Sequence, residues 1–514
     1  MTVAALPEWI EPTLQRQEGR DPLGLQTTTQ DRLMPFLLPD VLELSRRARY
    51  ISFYAFLLHA FEEQRQKATR ERLSRFIKTR EYDFGLAVLR CPRECGSSPV
   101  GATKLRPAVQ AEPKKFSCEE SVESANGGYG LYYRTPMIAF DLVAPAGTAL
   151  GDDALTPIDV LARRDEAREL AEAFASAVAD TEYIQRYFRT TDPVPLAVVD
   201  EYAEVACLCR LDTFGDERER IAASILTAPQ PEAAEAVQQR RRSIAHYLTL
   251  IDHDANVVYD ESAFRQALWT PPAPRSQHHH DIADQWAALA AKDLAQDALC
   301  SLWTDFNYAA LNAGGLDGLS ASDLVEVTRQ LCDSEPQLDP DERFVTASTS
   351  VDRPDELEDL RWWTVERDTG TSGALALYSM LELLEQRDSP AWRSAATIAS
   401  AWQPSLLTIA NEFTGFLDRD PTVVETLSWL LRRYVISAHE RIAYSKLPEF
   451  TFRFRMEPTG LRFYDLDSSR FRLAAIRHAP LASLTEDLGY WSWGDNESAE
   501  LTSSGRELID EVLA

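Results

Sequence analysis

Arg470-Phe-Arg-Leu473, Leu484-Thr-Glu-Asp-Leu-Gly489, Trp491-Ser-Trp-Gly-Asp-Asn496 and Leu501-Thr-Ser-Ser-Gly505 follow one another near the end of the chain. In order they predict a short helix, a second helix stopped by Gly489, a hairpin around Trp491 and Trp493, and a closing helix capped by Thr502 or Ser503. Leu508, Ile509, Val512 and Leu513 supply the apolar face of that last helix. Just upstream, Phe450, Phe452 and Phe454 alternate with Thr451, Arg453 and Arg455, and Pro458-Thr-Gly460 turns the chain into Leu461-Arg-Phe-Tyr464. Period-two alternation around a turn predicts a hairpin with aromatic side chains on one face and arginines on the other.

Outward from this end the pattern is helical. Residues 47–67 carry Tyr50, Phe53, Tyr54, Leu57, Leu58 and Phe61 at the spacing of one helix face, and residues 70–89 continue with Leu73, Phe76, Ile77, Phe84 and Val88. Residues 91–126 read as loop, and Gly127-Gly-Tyr-Gly130 leads into a short hairpin or ordered loop through Leu131-Tyr-Tyr133 and Met137-Ile-Ala-Phe140. Helices are predicted over 157–224, broken at Asp192-Pro-Val-Pro195, and again after Gln238-Gln-Arg-Arg-Arg242. Thr270-Pro-Pro-Ala-Pro274 reads as a linker. Further helices are expected over 281–334, 373–386, 392–416 and 421–445, with Pro421 in the first turn of the last, where its missing N–H costs nothing. Residues 1–40 read as an extended lead-in.

The expected fold class is therefore mainly α: a multi-helical body with a C-terminal β-hairpin and a winged-helix-like domain. Four consecutive regions are expected: 1–145, an N-terminal helical domain with a loop-rich insertion; 146–270, an acidic helical domain; 271–420, a third helical domain; and 421–514, carrying helix, hairpin and winged-helix-like module.

A formal charge of −28 over 514 residues disfavours nucleic acid as a partner of the whole surface, because phosphate binding relies on concentrated Lys and Arg. The charge is unevenly spread. Residues 141–343 hold 37 Asp and Glu against 16 Lys and Arg, a net of −21, whereas residues 432–477 hold ten basic against five acidic residues. The arginines that form candidate contact surfaces for DNA or a protein partner are Arg453, Arg455, Arg462, Arg470, Arg472 and Arg477 near the C-terminus and Arg46, Arg47 and Arg49 near the start. Against base reading, the helix around residues 480–488 carries Glu486 and Asp487 and no basic residue. The first residues, Met1-Thr-Val-Ala-Ala-Leu-Pro, lack the charged and apolar regions of a cleavable signal. The apolar run 50–61 is too short to span a bilayer. Seven cysteines without a regular framework point to a reducing cytoplasm.

Catalytic signatures are absent from the sequence: no phosphate-binding glycine loop, no Gly-x-Gly-x-x-Gly, no His-Glu-x-x-His, no Gly-x-Ser-x-Gly. Asp368-Thr-Gly370 matches the tripeptide of aspartic proteases but is followed by Thr371-Ser-Gly373 and a helix, which reads as a loop. His278-His-His-Asp281 follows the Pro-rich stretch and reads as solvated loop. Cys91-Pro-Arg-Glu-Cys95, Cys118 and Cys207-Leu-Cys209 could supply thiolates for a zinc site, and Cys91 with Cys95 fits a knuckle loosely. Cys207 and Cys209 are spaced too tightly for an ordinary knuckle and read as buried in a helix, so the cysteines are taken as core residues. No metal and no cofactor is predicted.

The stretch from Asp21-Pro-Leu-Gly24 to Leu58, with Arg46-Arg-Ala-Arg-Tyr50 and Ser52-Phe-Tyr54, resembles the opening of a group of uncharacterised bacterial proteins of mobile-element and phage-defence loci. Gly130-Leu-Tyr-Tyr-Arg134 and His439-Glu-Arg-Ile-Ala443 fit the same resemblance. It implies a context and carries no functional residues over. The function expected from all of this is a non-enzymatic scaffold or DNA-associated subunit of a bacterial defence or chromosome-associated complex, with a protein partner, with DNA as a second candidate partner, and with no membrane. Two alternatives stand beside it: a kleisin-like partner of a chromosome-organising ATPase, and a metal-dependent nuclease with a degenerate site.

Overall fold

Full burial of Tyr50, Phe53, Tyr54, Leu57 and Leu58 forms the first long helix, α1 (Arg49–Glu63), in a computed structural model that describes residues 21–64, 68–117, 119–149, 155–333, 339–348, 361, 373–385, 389–400, 403–448, 451–464, 471, 473–494 and 498–514. Thr69 caps α2 (Arg70–Leu89) by accepting the Arg72 amide. Along the chain follow α3 (Asp165–Val178), α4 (Leu196–Ala206), α5 (Gly215–Leu226), α6 (Ala234–His253), α7 (Gln277–Asn312), α8 (Gly373–Glu385), α9 (Pro390–Ala396), α10 (Leu406–Leu417), α11 (Val423–Leu430), α12 (His478–Asp487) and α13 (Ser503–Leu513). Helix makes up 65% and strand 6%, so the mainly α expectation holds.

Contacts divide the chain into two compact units, each made of separated stretches: residues 38–259 with 477–513, and residues 1–37 with 260–476 and 514. The expected linker Thr270–Pro274 lies within the stretch 260–476 of one unit. The lead-in 1–20, Phe450, Cys118, Asp368-Thr-Gly370, Arg470, Arg472 and Asp495-Asn496 lie outside the described residues.

In the unit of residues 38–259 and 477–513, α1 packs on α3, α2 on α4, and α6 on α13. Residues 129–139 do not form the expected hairpin; they are helical, Tyr129–Tyr133 continuing into Arg134–Ala139. The buried Glu81 carboxylate explains this. It accepts the Gly128 and Tyr129 amides at 2.8 and 3.3 Å and the Tyr54 hydroxyl at 2.8 Å, so tertiary hydrogen bonds override the strand preference of a Tyr-rich segment. Near the C-terminus, Gly489 stops α12 as expected. At φ +75° it donates to Glu486, while Tyr490 donates to Thr485, the hydrogen-bond pair that closes a helix end on a left-handed glycine. Trp491–Trp493 then pairs with Ala499–Leu501, and Thr502 caps α13 by accepting the Gly505 amide at 3.1 Å. The short helix expected at Arg470–Leu473 falls in part on residues outside those described.

In the other unit, α7 is the spine, packed on α8 and α9. Ser276 caps it by accepting the His279 amide, so His278-His-His280 begins a helix instead of lying in a solvated loop. Thr422 and Glu425 form a capping box at α11, which places Pro421 just ahead of the helix. The expected hairpin pairs Phe454–Glu457 with Gly460–Phe463. Gly460, at φ +126°, lies against Leu319, whose carbonyl oxygen would be 2.2 Å from any Cβ. Leu319 and Leu461 exchange both backbone hydrogen bonds at 2.9 Å, which only a side-chain-free neighbour allows.

Candidate metal centre

Two helix ends that lie far apart in sequence meet in the unit of residues 38–259 and 477–513. α2 ends at Arg90, and the next turn carries Cys91 and Cys95, with Glu94 donating to Cys91 at 3.0 Å and adopting φ +49°. α4 ends at Cys207, whose ψ of 146° takes the backbone out of helix before the 3₁₀ turn Leu208–Asp212. Cys207 is thus the C-cap of a helix and not an interior residue. Because the chain bends there, Cys207 and Cys209 both reach the same point despite being separated by one residue.

The four sulfurs converge, all within 4.8 Å of one another. Cys91 and Cys209 are 3.6 Å apart, as are Cys95 and Cys207. Four thiolates around one tetrahedral zinc at 2.3 Å would sit about 3.8 Å apart along each edge. A disulfide would need about 2.05 Å. The geometry is therefore that of four ligands around a single ion. The tight Cys207-Leu-Cys209 spacing, which counts against an ordinary knuckle, is accommodated by the bend at Cys207. Among the described residues the cluster is the one such group of potential metal ligands.

The electrostatics agree. Cys209 is held down to about 5 by the hydrogen bond from the Cys207 thiol, with further help from Cys91, Cys95 and the charge of Arg93. Sharing that proton pushes Cys207 well up, and burial raises Cys91. A divalent cation held by these sulfurs would take the place of their protons.

Ion pairs fix the two loops to each other. Arg90 pairs with Asp200, its Nη2 donating to Oδ2 at 3.1 Å, and Arg93 pairs with Asp212 at 2.6 Å. Behind them, fully buried Arg49 donates to the carbonyls of Val205 and Cys207 at 2.8 and 2.6 Å. Its other face meets Glu217, Nε to Oε1 at 3.1 Å and Nη2 to Oε2 at 3.0 Å, and Ser52 completes that carboxylate's shell at 2.6 Å. The guanidinium also lies over the rings of Phe174 and Phe214. Arg49, singled out as a surface contact, is instead a structural cation that holds the Cys207 carbonyl.

The remaining arginines of the expected contact surface are placed as follows. Arg47 pairs with buried Asp487 at 2.6 Å. Arg46 is exposed and reaches Glu43 at 3.3 Å. Arg477 is buried, donates to the Leu38 carbonyl at 2.5 Å, and burial lowers it to about 10. In the other unit, Arg455 and Arg462 face each other across the hairpin and share Glu457 at 2.9 and 3.7 Å. Arg453 is buried, its amide donating to His439 Nε2 at 2.9 Å. Of these, Arg46 and Arg462 present the most side chain to solvent.

Two other clusters are structural. His279 is buried, and its Nδ1 accepts the Arg275 amide at 3.1 Å. Lys292 on α7 is buried and donates to Leu25 O and Gln296 Oε1, each at 2.6 Å. Its neighbour Asp293 accepts from Thr29 at 2.7 Å and pairs with Arg265 at 3.1 Å. The Asp293 carboxylate is thus held by internal cations.

Comparison of the chain with protein-family models, with curated proteins and with solved structures finds no match.

Proposed function

We propose that this chain is a zinc-bound, non-enzymatic scaffold that serves as a docking subunit of a larger assembly. The convergence of Cys91, Cys95, Cys207 and Cys209 carries this reading. A set of four sulfur ligands leaves no coordination position for water or substrate, which is the pattern of a structural centre and not a catalytic one. Zinc would be bound by the four thiolates and would supply folding energy, tying the end of α2 to the end of α4. The arginines first considered for DNA are largely committed to carboxylates and carbonyls, which favours a protein partner for those surfaces. The resemblance to proteins of phage-defence loci supplies the context.

The test is metal analysis of the purified full-length chain by mass spectrometry. One zinc per chain is expected, released when a mercurial reagent titrates the thiols, and lost in Cys91→Ser/Cys209→Ser. A single iron in its place would keep the four-sulfur centre and change its metal. Metal-free protein whose four thiols react as readily as those of an unfolded control would overturn the reading.

A further inference from the structure

A groove of about 700 Å³ lies in the unit of residues 1–37 and 260–476, remote in sequence from the cysteines. Its floor is aromatic. Phe416 and Trp429 stack with ring centroids 4.7 Å apart and planes 11° from parallel, and both rings are half-buried. Phe413 and Tyr434 brace Trp429 edge-on at 5.7 and 5.4 Å. The stack is thus fixed in orientation while part of it faces the groove.

The rim is basic. Arg419, Arg432 and Arg433 line the groove, and all three are exposed. Arg433 is held by Glu412 through two hydrogen bonds at 2.9 and 2.7 Å. Arg419 lies 5.9 Å from the centre of the Phe416 ring. Among the described residues, neither Arg419 nor Arg432 has an ion pair. The acids nearby are mostly occupied. Glu412 serves Arg433 and Tyr434, Glu425 accepts the Thr422 amide at 2.8 Å, and Asp420 pairs with Arg343 at 3.4 Å. Asp418 is the remaining carboxylate of that turn. Arg432 and Arg433 sit on the π-helical segment Leu431–Ile436, a backbone irregularity that recurs at functional sites.

A preset aromatic platform beside unneutralised guanidinium groups fits a ligand with both a planar ring and a phosphate. Single-stranded nucleic acid is bound in that way, by bases stacked on aromatic rings and backbone tracked by arginine. We infer that this groove binds the base and phosphate of a nucleotide unit within a single strand. The site is independent of the cysteine cluster, so either proposal can fail alone.

The experiment is fluorescence anisotropy of the full-length protein with a labelled twenty-nucleotide oligothymidylate, with unlabelled thymidine monophosphate and heparin as competitors. Arg419→Glu/Arg432→Glu should weaken binding at least tenfold and flatten the salt dependence by about 1.4 in log–log slope, from two lost phosphate contacts on a single strand. Trp429→Leu should weaken it about tenfold with the salt slope unchanged. Because Trp429 is half-buried, circular dichroism and melting of each variant accompany the measurement, and the surface arginine pair carries the test if Trp429→Leu unfolds. Arg168→Glu/Arg186→Glu, in the other unit, should have no effect beyond twofold. Competition by the monophosphate would support the same site with a free nucleotide as its source. Competition by heparin equal to that of the oligonucleotide, insensitivity to the Arg419/Arg432 reversal, or no binding at low salt would each overturn the inference.

Discussion

The sulfurs of Cys91 and Cys209 lie 3.6 Å apart although 118 positions separate them in the chain. Neither helix that brings them there ends for the sake of the sulfur alone. α2 ends where Arg90 and Arg93 find Asp200 and Asp212, and α4 ends where Arg49 captures the last carbonyls. The protein framework thus preorganises the thiols, and a bound ion stabilises the folded chain by mass action. At a free zinc concentration a thousandfold above its dissociation constant the gain is about 4 kcal/mol. Removal of zinc by a strong chelator should lower the melting temperature of the wild type to that of Cys207→Ser. A chelator without effect on the melt would sink the structural role.

Glu217→Ala should destabilise the chain severely. The substitution leaves the Arg49 guanidinium, which is fully buried, facing two carbonyls and no carboxylate. Breaking one partner of a buried pair costs about 3–5 kcal/mol because the surviving charge stays desolvated. Since Arg49 also holds the Cys207 carbonyl, the same variant should lose zinc to a competing chelator faster than the wild type. Urea titration and chelator kinetics together check this; a stable variant with unchanged zinc release would contradict it.

Two buried carboxyls set an unusual pH response. Burial pushes Asp83 up to about 6 against the Tyr183 hydrogen bond and the nearby charge of Arg80. Burial likewise carries Asp487 to about 6 even with the Arg47 guanidinium in contact, so desolvation outweighs the ion pair. With the folded-state pKa above the ordinary 3.8, protonation favours the fold. Each contribution is complete below the unfolded value and is lost as pH rises through about 6. Asp83→Asn keeps an acceptor for the Tyr183 hydroxyl, bonded at 2.7 Å, and removes the charge. It should flatten the fall in stability between pH 5 and 7 by about 1.4 kcal/mol, because only about one unit of the window between 3.8 and about 6 lies above pH 5, at 1.36 kcal/mol per unit. Unfolding titrations at both pH values would show it, and an unaltered slope would count against the assignment.

What the sequence revealed depended on whether the deciding interaction was local. The hairpin at Phe454–Phe463 was legible because period-two alternation and Pro458-Thr-Gly460 act within a dozen residues. Gly489 was legible because a helix stop is a property of one residue's φ. The helical form of residues 129–139 was not, since it depends on Glu81, nearly fifty positions away. The cysteines were legible as candidate zinc thiolates, but reading Cys207-Leu-Cys209 as buried in a helix misses that the backbone turns out of α4 at Cys207. Basic composition likewise counted Arg47, Arg49 and Arg477 as surface, although their partners at Asp487, Glu217 and Leu38 hold them against the protein.

His439 should remain neutral at every pH at which the protein is folded. Its Nε2 accepts the Arg453 amide at 2.9 Å, so the ring proton sits on Nδ1 and is donated to the Pro22 carbonyl at 3.1 Å. Burial lowers its pKa to about 3, with the charges of Arg453 and Lys446 adding to the effect. Because this folded-state value lies below the ordinary 6.5, the contribution has the opposite sign to that of Asp83. It is fully present above pH 6.5 and is lost as pH falls toward 3. In proton NMR the His439 ring should not titrate down to pH 5. His439→Ala leaves an amide and a carbonyl buried without their partners, at about 1–3 kcal/mol each, and should free the start of the 454–463 hairpin from the Ser437–Ser445 helix. A His439 resonance that titrates near 6.5, or an alanine variant as stable as the wild type, would show that the ring is not held in this way.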